Sequence, residues 1–218
     1  MSPINQPGTA PWNRGRRIPT EILPAHEIAK LIGACSRVSR TGLRNRALIV
    51  VLWRGGLRIS EALDLELRDI DLARCTLNVR HGKGNKNRMV AIDASAAAVL
   101  QQWLTKRSKI KALNRPGGGQ HVFCTLHGTR LLTAYVRILL PRLAVAAGVE
   151  RRVHAHQLRH SFAVEMLYER IPMTFIQKSL GHTQLSTTSR YLEHVTDPDL
   201  QAAMLARPMP QCVADVLG

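Results

Sequence analysis

The stretch "CTLNVRHGKGNKNRMVAID", Cys75 to Asp93, decides the fold class. Apolar and polar residues alternate on both sides of a middle rich in glycine and asparagine. That pattern predicts a β-hairpin, with strands near 75–80 and 88–92. "HVFC", residues 121–124, offers a third short strand. Everything outward from the hairpin keeps helical spacing. Toward the N-terminus, a helix follows Pro24 through "PAHEIAKLIGAC". A second, apolar on most sides, runs through "GLRNRALIVVLWR" and stops at Gly55-Gly56. A short third carries "RISEALDL". Toward the C-terminus, Leu100, Trp103, Leu104 and Ile110 fit one face of a helix from about Ala94 to Leu113. Leu132, Val136, Leu139, Leu143 and Ala147 mark another, which Pro141 should kink or break. Leu158, Phe162 and Met166 mark a helix whose edge carries Arg159. Met173, Ile176 and Leu180 mark one opened by Pro172 and closed by Gly181. Tyr191 and "DPDLQAAMLAR" fall on further helices. The prediction is a mainly α chain with a small antiparallel β-sheet, an α+β fold without internal repeats.

Composition narrows the partner. The 218 residues are 45% apolar, enough for one sizeable core. A formal net charge of +16 creates a strong positive field and favours a polyanion. The longest apolar run, Ala47 to Trp53, is far short of the roughly 18 residues a membrane span needs. The basic start "MSPINQPGTAPWNRGRR" lacks the apolar stretch of a secretion signal, so a cytoplasmic, nucleoid-associated protein is expected. The four cysteines are scattered without metal-binding spacing and read as reduced thiols. Aromatic residues make up only 4%, which disfavours a single-strand binder built on base stacking and leaves duplex backbone as the better target.

Four motifs can carry chemistry. In "HQLRH", His156 and Arg159 lie three apart and share a helix face. Two adjacent cations repel unless an oxyanion sits between them; a solvated basic helix end is the plainer alternative. In "GGLRISEALDL", Arg58 opens a short helix after two glycines, where guanidinium and backbone amides can face an anion. Glu61, three residues on, can hold Arg58 or a nearby histidine, or simply pair within the helix. In "HGKGNKNR", Lys83, Lys86 and Arg88 sit on or beside a flexible turn that can reach DNA backbone. In "LGHTQLSTTSRYLEHV", Tyr191 follows His182 by nine residues. A tyrosine titrates near pKa 10, and neighbouring cations would favour its phenolate. Together these groups describe phosphoryl transfer by cationic side chains. The sequence holds no acidic cluster for Mg²⁺, so no metal and no cofactor is expected.

These four motifs, in this order and spacing over about residues 20–195, resemble the tyrosine recombinase (phage integrase) family. The resemblance implies that family's catalytic-domain fold. It implies Arg58 and Arg159 as phosphate-binding arginines and Lys83 as general acid, with Lys86 its competitor on the same turn. His156 and His182 are then supporting histidines, Glu61 the acidic residue behind them, and Tyr191 the nucleophile forming a 3′-phosphotyrosyl bond. His154 and His160 lie nearby without a direct role. Family members recombine duplex DNA through a Holliday junction, in integration, excision, inversion or resolution, often for mobile genetic elements. Four protomers act on two sites, in some cases with accessory DNA-bending proteins.

The expected organisation is a flexible basic arm over 1–19, a catalytic domain over 20–206 and a tail over 207–218 that packs on a neighbouring protomer. Arg14, Arg16 and Arg17 of the arm, with Lys86 and Arg88, are expected DNA contacts. The family's usual helical DNA-binding domain has no counterpart ahead of residue 20. The chain therefore reads as either an excised catalytic domain or a short member, as fimbrial DNA invertases are. The rival readings are a type IB topoisomerase-like nicking-closing enzyme and a DNA-binding protein without catalysis.

Overall fold

The computed structural model describes residues 22–80, 87–113 and 119–181. Seven α-helices and three short strands follow in the order α1 (Ala25–Ala34), α2 (Arg40–Arg54), α3 (Ile59–Asp64), β1 (Ile70–Asp71), β2 (Thr76–Val79), β3 (Arg88–Ala91), α4 (Ala94–Ser108), α5 (Thr133–Ala146), α6 (Ala155–Tyr168) and α7 (Met173–Leu180). The mainly α architecture with a small antiparallel sheet is the one expected. Helix α2 is the hub. Ala47 to Leu52 are all buried, and the helix packs against α4 on one side and α6 on another. Its ends are set chemically: the Ser39 hydroxyl accepts from the Gly42 amide, and Gly55 closes it. A second cluster, Phe162, Ala163, Val164, Ile176 and Leu180, joins α6 to α7. Ser161 fastens the chain entering α1, accepting from the Leu23 amide and donating to its carbonyl.

The sheet order is β1-β2-β3, with Leu77 opposite Val90 and Val79 opposite Arg88. Leu77, Val79 and Val90 are buried while Asn78 and Met89 face out, as strand alternation requires. Three expectations are corrected. "HVFC" is not the third strand. His121 and Cys124 make only isolated bridges to Glu66 and Arg130, and the third strand is Ile70–Asp71. Val122, Phe123 and Cys124 instead fill the core, and the Trp103 indole donates to the Val122 carbonyl at 2.9 Å. Helix α4 ends at Ser108, with a single 3₁₀ turn over Lys111–Leu113. Helix α5 runs unbroken through Pro141. Pro141 and Arg137 both lie on the exposed face, where the carbonyl that proline leaves unpaired is open to hydration. The helices expected around Tyr191 and over 197–207 lie outside the described residues.

Candidate active site

The site assembles where four elements end together: the start of α3, the start of β3, the first turns of α6 and the last turn of α7. Its centre is Glu61, whose side chain is only 2% exposed. One carboxylate oxygen, Oε1, accepts from Arg58 Nη1 at 2.7 Å and Arg88 Nη1 at 2.9 Å. The other, Oε2, accepts from the Arg58 backbone amide and Arg88 Nη2, both at 2.8 Å. Arg159 Nη1 lies 3.7 Å from Oε2. Burial alone would raise the carboxyl's pKa. The bond from Arg88, the Arg58 amide, the Arg88 charge and the Arg58 side chain outweigh it and lower the pKa to about 2. Glu61 is therefore a fixed anion at the heart of three guanidiniums, and the group keeps a net positive charge.

Each arginine is held differently. Arg58, just before α3, is 28% exposed. Among the described residues it commits only Nη1 to Glu61, so Nε and Nη2 remain for an outside acceptor. Arg159 is 1% exposed, which corrects the expectation that it lies at the core's edge. Helix α6 packs against α2, α5 and α7, so little of its first half faces water. Arg159 Nη1 donates to the Gly56 carbonyl at 2.7 Å and Nη2 to the Leu180 carbonyl at 2.6 Å. A buried cation is tolerable there because it has polar partners and a nearby carboxylate. Arg88 corrects a second expectation. Instead of reaching toward DNA backbone it turns inward, 11% exposed, onto Glu61 and the Ser179 carbonyl at 3.0 Å. Strand parity explains it: Arg88 shares a face with buried Val90.

His156 stands on the first turn of α6, exposed, with its ring edge-on to His160 at 4.2 Å between centroids. Although part of the residue meets water, its pKa is lowered first by desolvation from the surrounding protein, then by the charges of Arg159, His154 and Arg58. Arg58, Arg159 and this histidine thus share one electrostatic neighbourhood. Among the described residues Glu61 bonds arginines, not the histidines it was expected to stand behind. Helix α7 ends at Gly181, whose φ of +64° suits glycine, and a Cβ there would press on Arg88 at 3.0 Å. Lys83, Lys86, His182, Tyr191 and the arm residues Arg14, Arg16 and Arg17 lie outside the described residues. Sequence reading missed the Gly56 and Leu180 carbonyls as arginine acceptors. The glycine pair before Arg58 was the only available hint.

The model of the phage integrase family matches residues 21–197, the span that holds all of this geometry. This chain belongs to the phage integrase family. Among curated integrase-family relatives, tyrosine recombinase XerC of Myxococcus xanthus is 34% identical over 182 residues, 83% of this chain and 60% of that protein. XerC of Bacillus pumilus is 33% identical, over 88% of this chain and 62% of its own length. The chain thus spans about three fifths of the length of these relatives. The crystal structure of XerA recombinase superposes with a TM-score of 0.74 at 30% identity, covering 93% of this chain and 70% of that one. XerH site-specific recombinase bound to a palindromic difH substrate, in a post-cleavage complex, gives 0.70 at 30% identity over 90% of this chain and 55% of that one. No described helix is long and apolar enough to cross a membrane.

Proposed function

We propose that this chain is the catalytic part of a tyrosine-type site-specific recombinase that cuts and rejoins duplex DNA. The observation that carries the reading is Arg58: a partly exposed guanidinium that, among the described residues, commits only Nη1, backed by buried Glu61 and grouped with Arg159 and His156. Such a cluster offers preformed donors to the non-bridging oxygens of a phosphodiester and to the charge that grows on them during attack. In the proposed reaction the Tyr191 hydroxyl oxygen bonds to phosphorus as the bond to the 5′ oxygen breaks. Lys83, or Lys86 on the same turn, gives that oxygen its proton, while His156 or His182 takes the tyrosine's. The 3′-phosphotyrosyl bond conserves the phosphodiester's energy, and attack by a second strand's 5′ hydroxyl reverses the chemistry. Cationic side chains do the electrostatic work, and the reading assigns no metal or cofactor.

The relatives named for recombinase activity and the XerH complex with its DNA substrate support double-stranded DNA as partner. A tetramer on paired sites, a Holliday-junction intermediate, accessory DNA-bending proteins and a cytoplasmic, nucleoid-associated location complete the proposal. Within it, residues 1–19 act as a basic arm on DNA backbone, 20–206 form the catalytic domain, and 207–218 pack on a neighbouring protomer. The experiment is covalent trapping. The protein is incubated with nicked duplexes of randomised core sequence, and adducts are isolated on denaturing gels and sequenced. A band that disappears with Tyr191→Phe is expected. Binding without any adduct would leave a DNA-binding protein. Relaxation of supercoiled plasmid without paired sites would leave a nicking-closing enzyme.

A further inference from the structure

Arg88 faces inward, and all three edges of its guanidinium are committed. It grips both oxygens of Glu61 with a two-pronged bond and donates its third N–H edge to the Ser179 carbonyl. We propose that Arg88 is a positioning residue for phosphate binding, which keeps Glu61 from closing on Arg58 and fastens the end of α7 to the same carboxylate. The proposal rests on the phosphate-binding reading of Arg58. The geometry gives the reason. A free Glu61 would pair with Arg58 through two parallel bonds, the preferred arrangement of a carboxylate and a guanidinium. With Arg88 on both oxygens, Arg58 makes one side-chain bond to Oε1, and its other donors stay outside the pair. Arg88 therefore holds Arg58 half-open. It also carries that state to α7, because the Ser179 carbonyl it grips is two residues from the left-handed Gly181, which packs on its guanidinium.

Lysine cannot replace this. Its single ammonium keeps the charge but cannot span two carboxylate oxygens and a carbonyl in one plane. Charge and position are thereby separable. The probe is dimethyl phosphate, titrated by NMR into the wild-type protein, Arg88→Lys and Arg88→Gln, with the Glu61 carboxyl pKa followed by ¹³C NMR. Thermal melts confirm folding. In Arg88→Lys, dimethyl phosphate affinity is expected to fall about ten- to a hundredfold, by analogy with the loss of groups that orient metal ligands. The Glu61 pKa should rise from its low value, because Arg88 supplies the largest lowering contribution. In Arg88→Gln, free guanidinium ion far below denaturing concentration should restore part of the affinity, and this arm decides the matter if Arg88→Lys does not fold. An Arg88→Lys protein that binds dimethyl phosphate as wild type overturns the proposal, since charge alone would then suffice. Absence of rescue in Arg88→Gln counts against it equally. Wild-type protein that binds no dimethyl phosphate instead overturns the phosphate reading beneath it.

Discussion

Replacing Glu61 with glutamine keeps its shape and removes its charge, so it measures how far one anion supports three guanidiniums. The Glu61 carboxyl sits at about 2 against an ordinary 4.5. At 1.36 kcal/mol per unit, ionised Glu61 contributes on the order of 3 kcal/mol at neutral pH. Its side chain is 2% exposed, so solvent screening removes little of this. The figure agrees with the roughly 3–5 kcal/mol that removing one partner of a buried pair costs. The pH dependence carries a definite sign. A depressed folded pKa means the unfolded chain binds the extra proton first as pH falls. The stabilisation is therefore complete above about 4.5 and disappears as pH drops toward 2. Urea unfolding of wild type and Glu61→Gln, followed by circular dichroism from pH 7 downward, gives the difference free energy, in which all other titrations cancel. That difference should begin near 3 kcal/mol and shrink steadily below pH 4.5, with unchanged urea slopes. Sulfate should stabilise the glutamine variant more than wild type, because an anion can take the carboxylate's place. A variant within about 1 kcal/mol of wild type at pH 7, or a difference that ignores pH in that window, would overturn this account of Glu61.

Glu165 should behave in the opposite way. Its pKa is raised by burial despite bonds from the Trp53 indole at 2.9 Å and from Arg54, whose charge is also met by Asp93. The fold therefore prefers its protonated form, a contribution that fades as pH rises through the folded pKa. Glu165→Gln should be as stable as wild type or up to about 1 kcal/mol more stable at pH 7, read by thermal melting. Gly56→Ala should cost about 2–4 kcal/mol, because φ is +58° and a Cβ would overlap the Phe162 ring; urea unfolding checks it. His156 should titrate below an ordinary histidine in the free protein, and a bound phosphodiester should raise its pKa by offsetting Arg58 and Arg159; ¹H–¹⁵N NMR of the ring reads both. Deleting residues 1–19 should flatten the salt dependence of DNA binding by about 0.9 for each phosphate that the arm neutralises, measured by fluorescence anisotropy.

The hairpin, the helix order and the stop at Gly181 were legible because each is a local rule: alternation, 3.6-residue spacing, a left-handed glycine. What was not legible depends on neighbours distant in sequence. "HVFC" has strand composition, but its partners are core side chains and two isolated bridges. Pro141 is harmless because its missing bond faces water, which follows from packing on the opposite face of α5. Arg159 looks peripheral on a helical wheel drawn from Leu158, Phe162 and Met166, and becomes buried only once α2 and α7 close over it. Arg88 is the instructive case, because the information was present. Two residues before Val90 on one strand, it had to share Val90's face, yet the flexible turn beside it suggested a DNA-reaching role.

The inward turn of Arg88 changes how the site's positive charge is to be understood. A cluster of arginines drawn together only by a bound anion would be loose in its absence and would reorganise on every encounter with DNA. Here the protein supplies the anion itself. Glu61 holds two guanidiniums directly, the Gly56 and Leu180 carbonyls hold the third, and the Ser179 carbonyl locks Arg88. The ordering cost is therefore met during folding, without any bound anion, and electrostatic stabilisation depends on such preorganisation. One carboxylate against three guanidiniums also leaves the cluster net positive, and Arg58, the most exposed of the three, places that excess at the surface. If Arg58 binds phosphate as proposed, the strength of Glu61's own pairing measures readiness for it, and the pH titration of Glu61 and the dimethyl phosphate titration of Arg88 variants should move together.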